Sequence, residues 1–149
     1  MAEKFGLQGV DAVMARLKNL KQEINLKGTR AAGTKAMRIV RDSARKKAKT
    51  LDDPKSAADI SKNIVTRYNK KASKRERGVV VQVGVQGGAR PRKGREDTGH
   101  FRYLEFGSVH NRATPFLRPA LANNVGAVTD AFVKALDPAI DKALSKVKK

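Results

Sequence analysis

Few residues in this 149-residue chain have the types that chemistry needs. His100 and His110 are its two histidines. A histidine pair can act as acid and base at a phosphodiester when both stand beside the scissile phosphate with a cation nearby. Read as flanking one extended strand, these two are held roughly 20–25 Å apart. Ser108, His110 and Glu105 have the residue types of a nucleophilic triad, but no Gly-x-Ser-x-Gly elbow presents the serine. Asp52-Asp53 and Glu96-Asp97 are adjacent pairs rather than ligands at metal-binding spacing, and there is no cysteine. Gly84-x-x-Gly87-Gly88 runs into Arg90-Pro91, with no helix start and no Lys-Ser/Thr to cradle a phosphate. The expectation is a protein that is not an enzyme, with no catalytic residues, no metal site and no cofactor.

What the composition offers instead is charge. The net charge is +19 and the isoelectric point about 10.7. Between Lys27 and Arg77 stand seventeen Lys/Arg against five Asp/Glu, a net of +12. Such asymmetry implies an anionic neighbour. The candidates for a DNA- or anion-facing surface are Arg41, Arg45, Lys46, Lys47, Lys49, Lys70, Lys71, Lys74, Arg75, Arg77, Arg90, Arg92 and Lys93. Base reading by stacking requires aromatics among the cations, and this region has only Tyr68, so contact with nucleic acid is expected to be phosphate-directed and blind to sequence. A membrane partner is not expected: the basic stretch lacks the Trp, Phe and Leu that insert into lipid, and no apolar run reaches the roughly 18 residues of a span. The first ten residues carry no apolar signal segment, which with the lack of cysteine implies assembly in a cytoplasm-like compartment.

The elements that would hold these residues read as an α+β fold in one domain, 1–149, with helices over 10–50, an antiparallel sheet over 60–107 and a C-terminal helix over 115–147. Val10, Val13, Met14, Leu17, Leu20 and Ile24 keep helical spacing, predicting a first helix over Val10–Asn25. Gly28 is expected to break or bend the chain before a second, basic helix over Thr29–Thr50. Ile64–Tyr68 and Gly78–Gln86 are β-branched runs that pair as a hairpin across a basic tip. Gly87–Gly99 is a polar loop, and Phe101–Phe106 is predicted as a third strand, completing a small three-stranded sheet. Pro115 and Pro119 suit the start of a long C-terminal helix, which Pro138 is expected to kink or split. With no Trp and 5% aromatics, the core is thin.

One stretch is more specific. Tyr103-Leu104-Glu105-Phe106-Gly107-Ser108, followed by Ala113-Thr114-Pro115-Phe116-Leu117-Arg118-Pro119-Ala120-Leu121, resembles the neck and tail-completion proteins of lambdoid siphophages and is similar to the lambda tail protein Z group. Gly6-Leu7, the Leu17/Leu20 helix and Ala36 to Ala48 fit the same pattern. The family's Asp-Thr-Gly turn after the basic helix is absent at Leu51-Asp52-Asp53-Pro54-Lys55, while Asp97-Thr98-Gly99 carries those letters later. The resemblance implies a structural virion protein at the head–tail junction or head-proximal tail end. It would act as a homo-oligomeric ring between connector or head-closure proteins and tail terminator or tail-tube proteins, assembled in the host cytoplasm. It places interface residues at Tyr103, Glu105, Phe106, Gly107, Pro115, Phe116, Leu117, Arg118 and Pro119, with Phe116 and Leu117 packing either within the subunit or against the next one. The reading of the charge alone leaves a basic, non-sequence-specific nucleic-acid-binding protein as the alternative.

Overall fold

The computed structural model describes residues 22–51, 59–86 and 98–147. Its spine is one helix, α1 (Gln22–Leu51). No proline interrupts it, and alanines, the best helix formers, recur along it. Ala32, Ala36, Val40, Ala44 and Ala48 are all buried, one every fourth residue, so they form a single stripe of small side chains. The expected break at Gly28 is absent. Gly28 is there for close approach: a Cβ on it would stand 2.9 Å from the Ala139 Cβ. Two N-terminal helices are therefore not what forms; Gln22–Asn25 belong to α1, and the rest of the predicted first helix lies outside the described residues.

After Asp59, whose carboxylate accepts from the Ser61 amide and hydroxyl, comes the single turn α2 (Ile60–Asn63). The Ser61 hydroxyl is the main influence holding the Asp59 carboxyl below its usual range. Strands β1 (Ile64–Tyr68) and β2 (Val81–Val85) pair antiparallel from Ile64↔Val85 to Tyr68↔Val81, as the hairpin reading requires. Between them the basic tip folds into α3 (Lys70–Arg75), capped by the Asn69 side chain on the Ala72 amide. It ends with Arg77 in the left-handed region (φ 52°) and the Gly78 amide donating back to the Ser73 carbonyl, the bond pattern of a Schellman stop.

The largest departure from expectation is α4 (Phe101–Phe106), a helix where a third strand was predicted. The described residues hold two strands in one sheet. Alternation would put Phe101, Tyr103 and Glu105 on one face. Instead Phe101 and Leu104 pack on the core and Glu105 is buried, while Tyr103 and Phe106 are exposed. That is a three-to-four-residue period. The segment also has no β-branched residue to favour extension. The turn over Thr98–His100 starts the helix, accepting from the amides of Phe101, Arg102 and Tyr103.

The C-terminal region is split, but not at Pro138. The short α5 (Leu117–Ala122) and the long α6 (Val125–Val147) part at Asn123–Asn124. Pro138 lies within α6 on an exposed position, where water can serve the carbonyl its ring leaves without an amide partner. Helix α6 runs antiparallel to α1. Gly28 meets Ala139, Gly33 lies near Phe132, and the Asn124 amide donates to Ser43 Oγ at 3.2 Å. The other side of α1 carries the hairpin, pinned where Arg45 Nε and Nη2 donate to the Ile64 carbonyl at 3.1 and 2.8 Å. Val40, Ala44, Ala48, Ile60, Ile64, Phe116 and Ala120 make the core.

Candidate functional site: a locked corner and two charged surfaces

Glu105 organises the corner between α4 and α5. It faces inward from the last turn of α4 and is only 1% exposed. Its Oε2 accepts from the amides of Phe116 (2.8 Å) and Leu117 (2.9 Å), and its Oε1 from the amide of Arg118 (3.0 Å). Those amides open α5 and have no helical partner of their own. A carboxylate from a distant residue thus does the work of an N-cap, with the sign the helix dipole favours. Arg118 closes the loop: its Nε reaches Oε1 at 3.2 Å, and its Nη2 donates to the Glu105 carbonyl at 2.6 Å. Burial alone would raise the Glu105 pKa. The three amides and the Arg118 side chain outweigh it, and the net result lies below the ordinary 4.5.

The chain from Gly107 to Pro115 is equally constrained. Gly107 ends α4 at φ 80°, and a Cβ there would stand 3.1 Å from the Ala113 nitrogen. Ser108 Oγ accepts from the amides of His110 and Asn111, the Ser108 amide donates to Asn111, and the Thr114 amide returns to the Leu104 carbonyl. The hydroxyl of Ser108 and the carboxylate of Glu105, read above as having triad residue types, are placed in these backbone roles. His110 is exposed on the loop, and His100 sits at the start of α4.

Of the predicted interface residues, the structure divides inside from outside. Phe116 is fully buried in the subunit's own core, and Leu117 packs against that core. Pro115 and Pro119 are half-buried. Tyr103 is 60% exposed, Phe106 67% and the neighbouring Val109 98%, while the Arg118 guanidinium lies 5.3 Å from the Phe106 ring centre. Three large apolar side chains are thus exposed at this corner.

The predicted cationic residues also separate. Arg45 is engaged by the Ile64 carbonyl, and Arg41 pairs with Asp42 at 2.7 Å. Lys46, Lys47 and Lys49 point to solvent from α1. Lys70, Lys71, Lys74, Arg75 and Arg77 cluster, exposed, on and after α3, with Arg75 also near Glu76. Arg90, Arg92 and Lys93 lie outside the described residues. One structural position beside the corner escaped the sequence reading. Thr98 is fully buried; its hydroxyl donates to the Gln86 carbonyl at 3.0 Å and accepts from Asn63 Nδ2 at 3.2 Å, tying β2, α2 and the start of α4 together. The Asp-Thr-Gly letters around it were the available signal.

Among the described residues, no helix is long and apolar enough to cross a membrane. Residues 11–107 match the family described as "Bacteriophage HK97-gp10, putative tail-component". That range includes α1, the hairpin and α4 through Gly107. No curated protein and no solved structure matches the chain.

Proposed function

The chain belongs to the HK97-gp10-like family of bacteriophage tail components, and from that premise we propose that it is a structural, non-catalytic ring protein at the head-proximal end of the tail. There it completes the tail and joins it to the head. The ring would sit between connector or head-closure proteins on one side and tail terminator or tail-tube proteins on the other, and would be incorporated in the virion neck after assembly in the host cytoplasm. The observation that carries this reading is the apolar corner of Tyr103, Phe106 and Val109, beside the Glu105 cap and left uncovered by the described residues.

The test is complementation of a phage lacking the gene with a Tyr103→Ser/Phe106→Ser variant. Both side chains are exposed, so the isolated protein keeps its Tm within the small range of surface changes. Electron microscopy is expected to show filled heads separate from tails. Full infectivity with variant protein incorporated would defeat the proposal.

The α3 cluster favours a second reading, contact with genomic DNA through Lys70, Lys71 and Lys74. Such contact would be independent of sequence and fall steeply with salt. Gln at all three positions should flatten the salt dependence of duplex retention. Sequence-selective binding by the isolated chain would speak against both readings.

A further inference from the structure

The protein is strongly basic, yet three of its acidic residues share one helix. Asp130, Asp137 and Asp141 are all exposed on α6, at i, i+7 and i+11, and none has an ion-pair partner among the described residues. Helical geometry places them on one face, opposite the side of α6 that packs on α1 through Asn124, Val128, Phe132 and Ala139. The half-exposed Val133 (50%) lies on the same outer face. On α1 the outer face of the first half is the reverse in charge. Lys27, Arg30, Lys35 and Arg38 line a shallow open depression with Ala31 and Thr34, opposite the buried alanine stripe, and the exposed Arg30 guanidinium also lies 4.4 Å from the Tyr68 ring centre.

We infer that these two faces are the two halves of one subunit–subunit interface, with the acidic face of α6 in one copy seated on the basic face of α1 in the next. Three independent features agree. First, the spacings match when the helices run antiparallel. Asp141 then meets Lys27, Asp137 meets Arg30, and Asp130 meets Arg38, over about 16 Å of helix. The one cation on the acidic stripe, Lys134, falls opposite the uncharged Thr34, with Lys35 as its nearest like charge. Second, antiparallel is the orientation that stacking side by side generates. Within a copy, α1 and α6 are already antiparallel, and each keeps an exposed charged face away from their mutual contact, that of α1 lying beside the hairpin. Third, the axial register of this contact differs from the intrasubunit one, where Gly28 meets Ala139 and Ser43 meets Asn124, by only about one residue, or ~1.5 Å. A head-to-tail contact with so little climb is what a flat ring requires, closure then depending on the rotation between copies. The proposal rests on the reading of the protein as self-assembling, and names the surface that does it.

The experiment is sedimentation velocity on three full-length proteins across a concentration series at low and moderate salt: wild type, an α6 variant (D130K/D137K/D141K) and an α1 variant (K27E/R30E/R38E). Circular dichroism and thermal unfolding confirm the fold, since every altered side chain is exposed. Wild type is expected to self-associate, more weakly as salt rises. Each variant should self-associate about 100-fold or more weakly, because three attractive pairs become three repulsive ones. Equimolar mixing of the two variants should restore assembly, since both contacts then pair opposite charges. Variants that assemble like wild type, or a mixture that does not recover, overturn the assigned surface while leaving self-assembly standing. A wild type that stays monomeric throughout overturns self-assembly and the surface together. Duplex DNA bound by the α1 face in wild type but not in the α1 variant, without any self-association, assigns that face to phosphate and overturns the proposal.

Discussion

Removing the Glu105 carboxylate should destabilise the protein far more than its position in a six-residue surface helix implies. The carboxylate takes three amides at the start of α5 and one guanidinium nitrogen. Loss of an N-cap costs about 1 kcal/mol. Leaving the buried Phe116 amide without a partner adds about 1–3 kcal/mol, and Arg118 loses its anionic partner as well. Glu105→Ala should therefore cost about 3–4 kcal/mol, and Glu105→Gln, which keeps one acceptor oxygen, about 2. For a chain of this length that is a Tm drop on the order of 7–14 °C for the alanine variant. Urea titration should show a lower midpoint with an unchanged slope. The pH dependence gives an independent reading. The folded pKa of Glu105 is lowered, so its contribution is complete above the ordinary 4.5 and disappears as pH falls below that value through the depressed folded value. Wild type should lose stability in that acid window, and Glu105→Gln should lose less across it. A Glu105→Ala cost below 1 kcal/mol, or identical acid profiles for wild type and Glu105→Gln, would refute the remote-cap reasoning.

Four further outcomes follow from the local geometry. Gly107→Ala must place a side chain at φ 80° and 3.1 Å from the Ala113 nitrogen, and should cost about 1–3 kcal/mol by chemical denaturation. Thr98→Val removes the hydroxyl that donates to the Gln86 carbonyl and accepts from Asn63 Nδ2 and should cost about 1–3 kcal/mol, while Thr98→Ser, which keeps the hydroxyl, should recover most of it. Arg45→Met should lower the urea midpoint by the loss of a charged hydrogen bond to the Ile64 carbonyl, about 1.5–3 kcal/mol. Gln at Lys46, Lys47 and Lys49 together should change stability little, about 0.5 kcal/mol or less per site.

How legible this was in the sequence varies with the range of the interactions involved. The hairpin could be read because its strands carry their own signal: β-branched residues at Ile64–Thr66 and Val79–Val85, with a polar tip between. Helix α1 was legible in its periodicity but not in its continuity. Gly28 looks like a breaker when only local propensity is weighed, and its role depends on Ala139, more than a hundred residues away. The error at Phe101–Phe106 has the same origin. Six residues with aromatics at every second or third position satisfy either period, and the deciding contacts, Glu105 to α5 and Thr98 to Gln86, are tertiary. The longer stretch from Tyr103 to Leu121 is the chain's most specific one, and its two halves do meet, at Glu105 and the amides of Phe116, Leu117 and Arg118. What could not be read was that its acidic residue is buried, and that charge along α1 divides between structural cations such as Arg45 and exposed ones such as Lys46.

That division bears on how stability and assembly are coupled at the corner. Glu105 and Phe106 are neighbours on α4, and a step of one residue turns a helix by about 100°. Fixing Glu105 inward therefore fixes Phe106 outward, and with it the Arg118 guanidinium near its ring. The carboxylate sets the aim of a surface it does not itself form. The two positions should accordingly fail in different ways. Phe106→Ser, 67% exposed in the wild type, should leave thermal unfolding almost unchanged while removing the contact. Glu105→Gln should lower Tm and, at a temperature where the variant is still folded, blunt assembly only as far as the corner loosens. Deuterium exchange of the Phe116 and Leu117 amides would report that loosening directly. If Glu105→Gln left those amides as protected as in the wild type, the corner would have to be held by its backbone turns alone, and the exposed aromatics would owe their direction to Gly107 and the Ser108 turn instead.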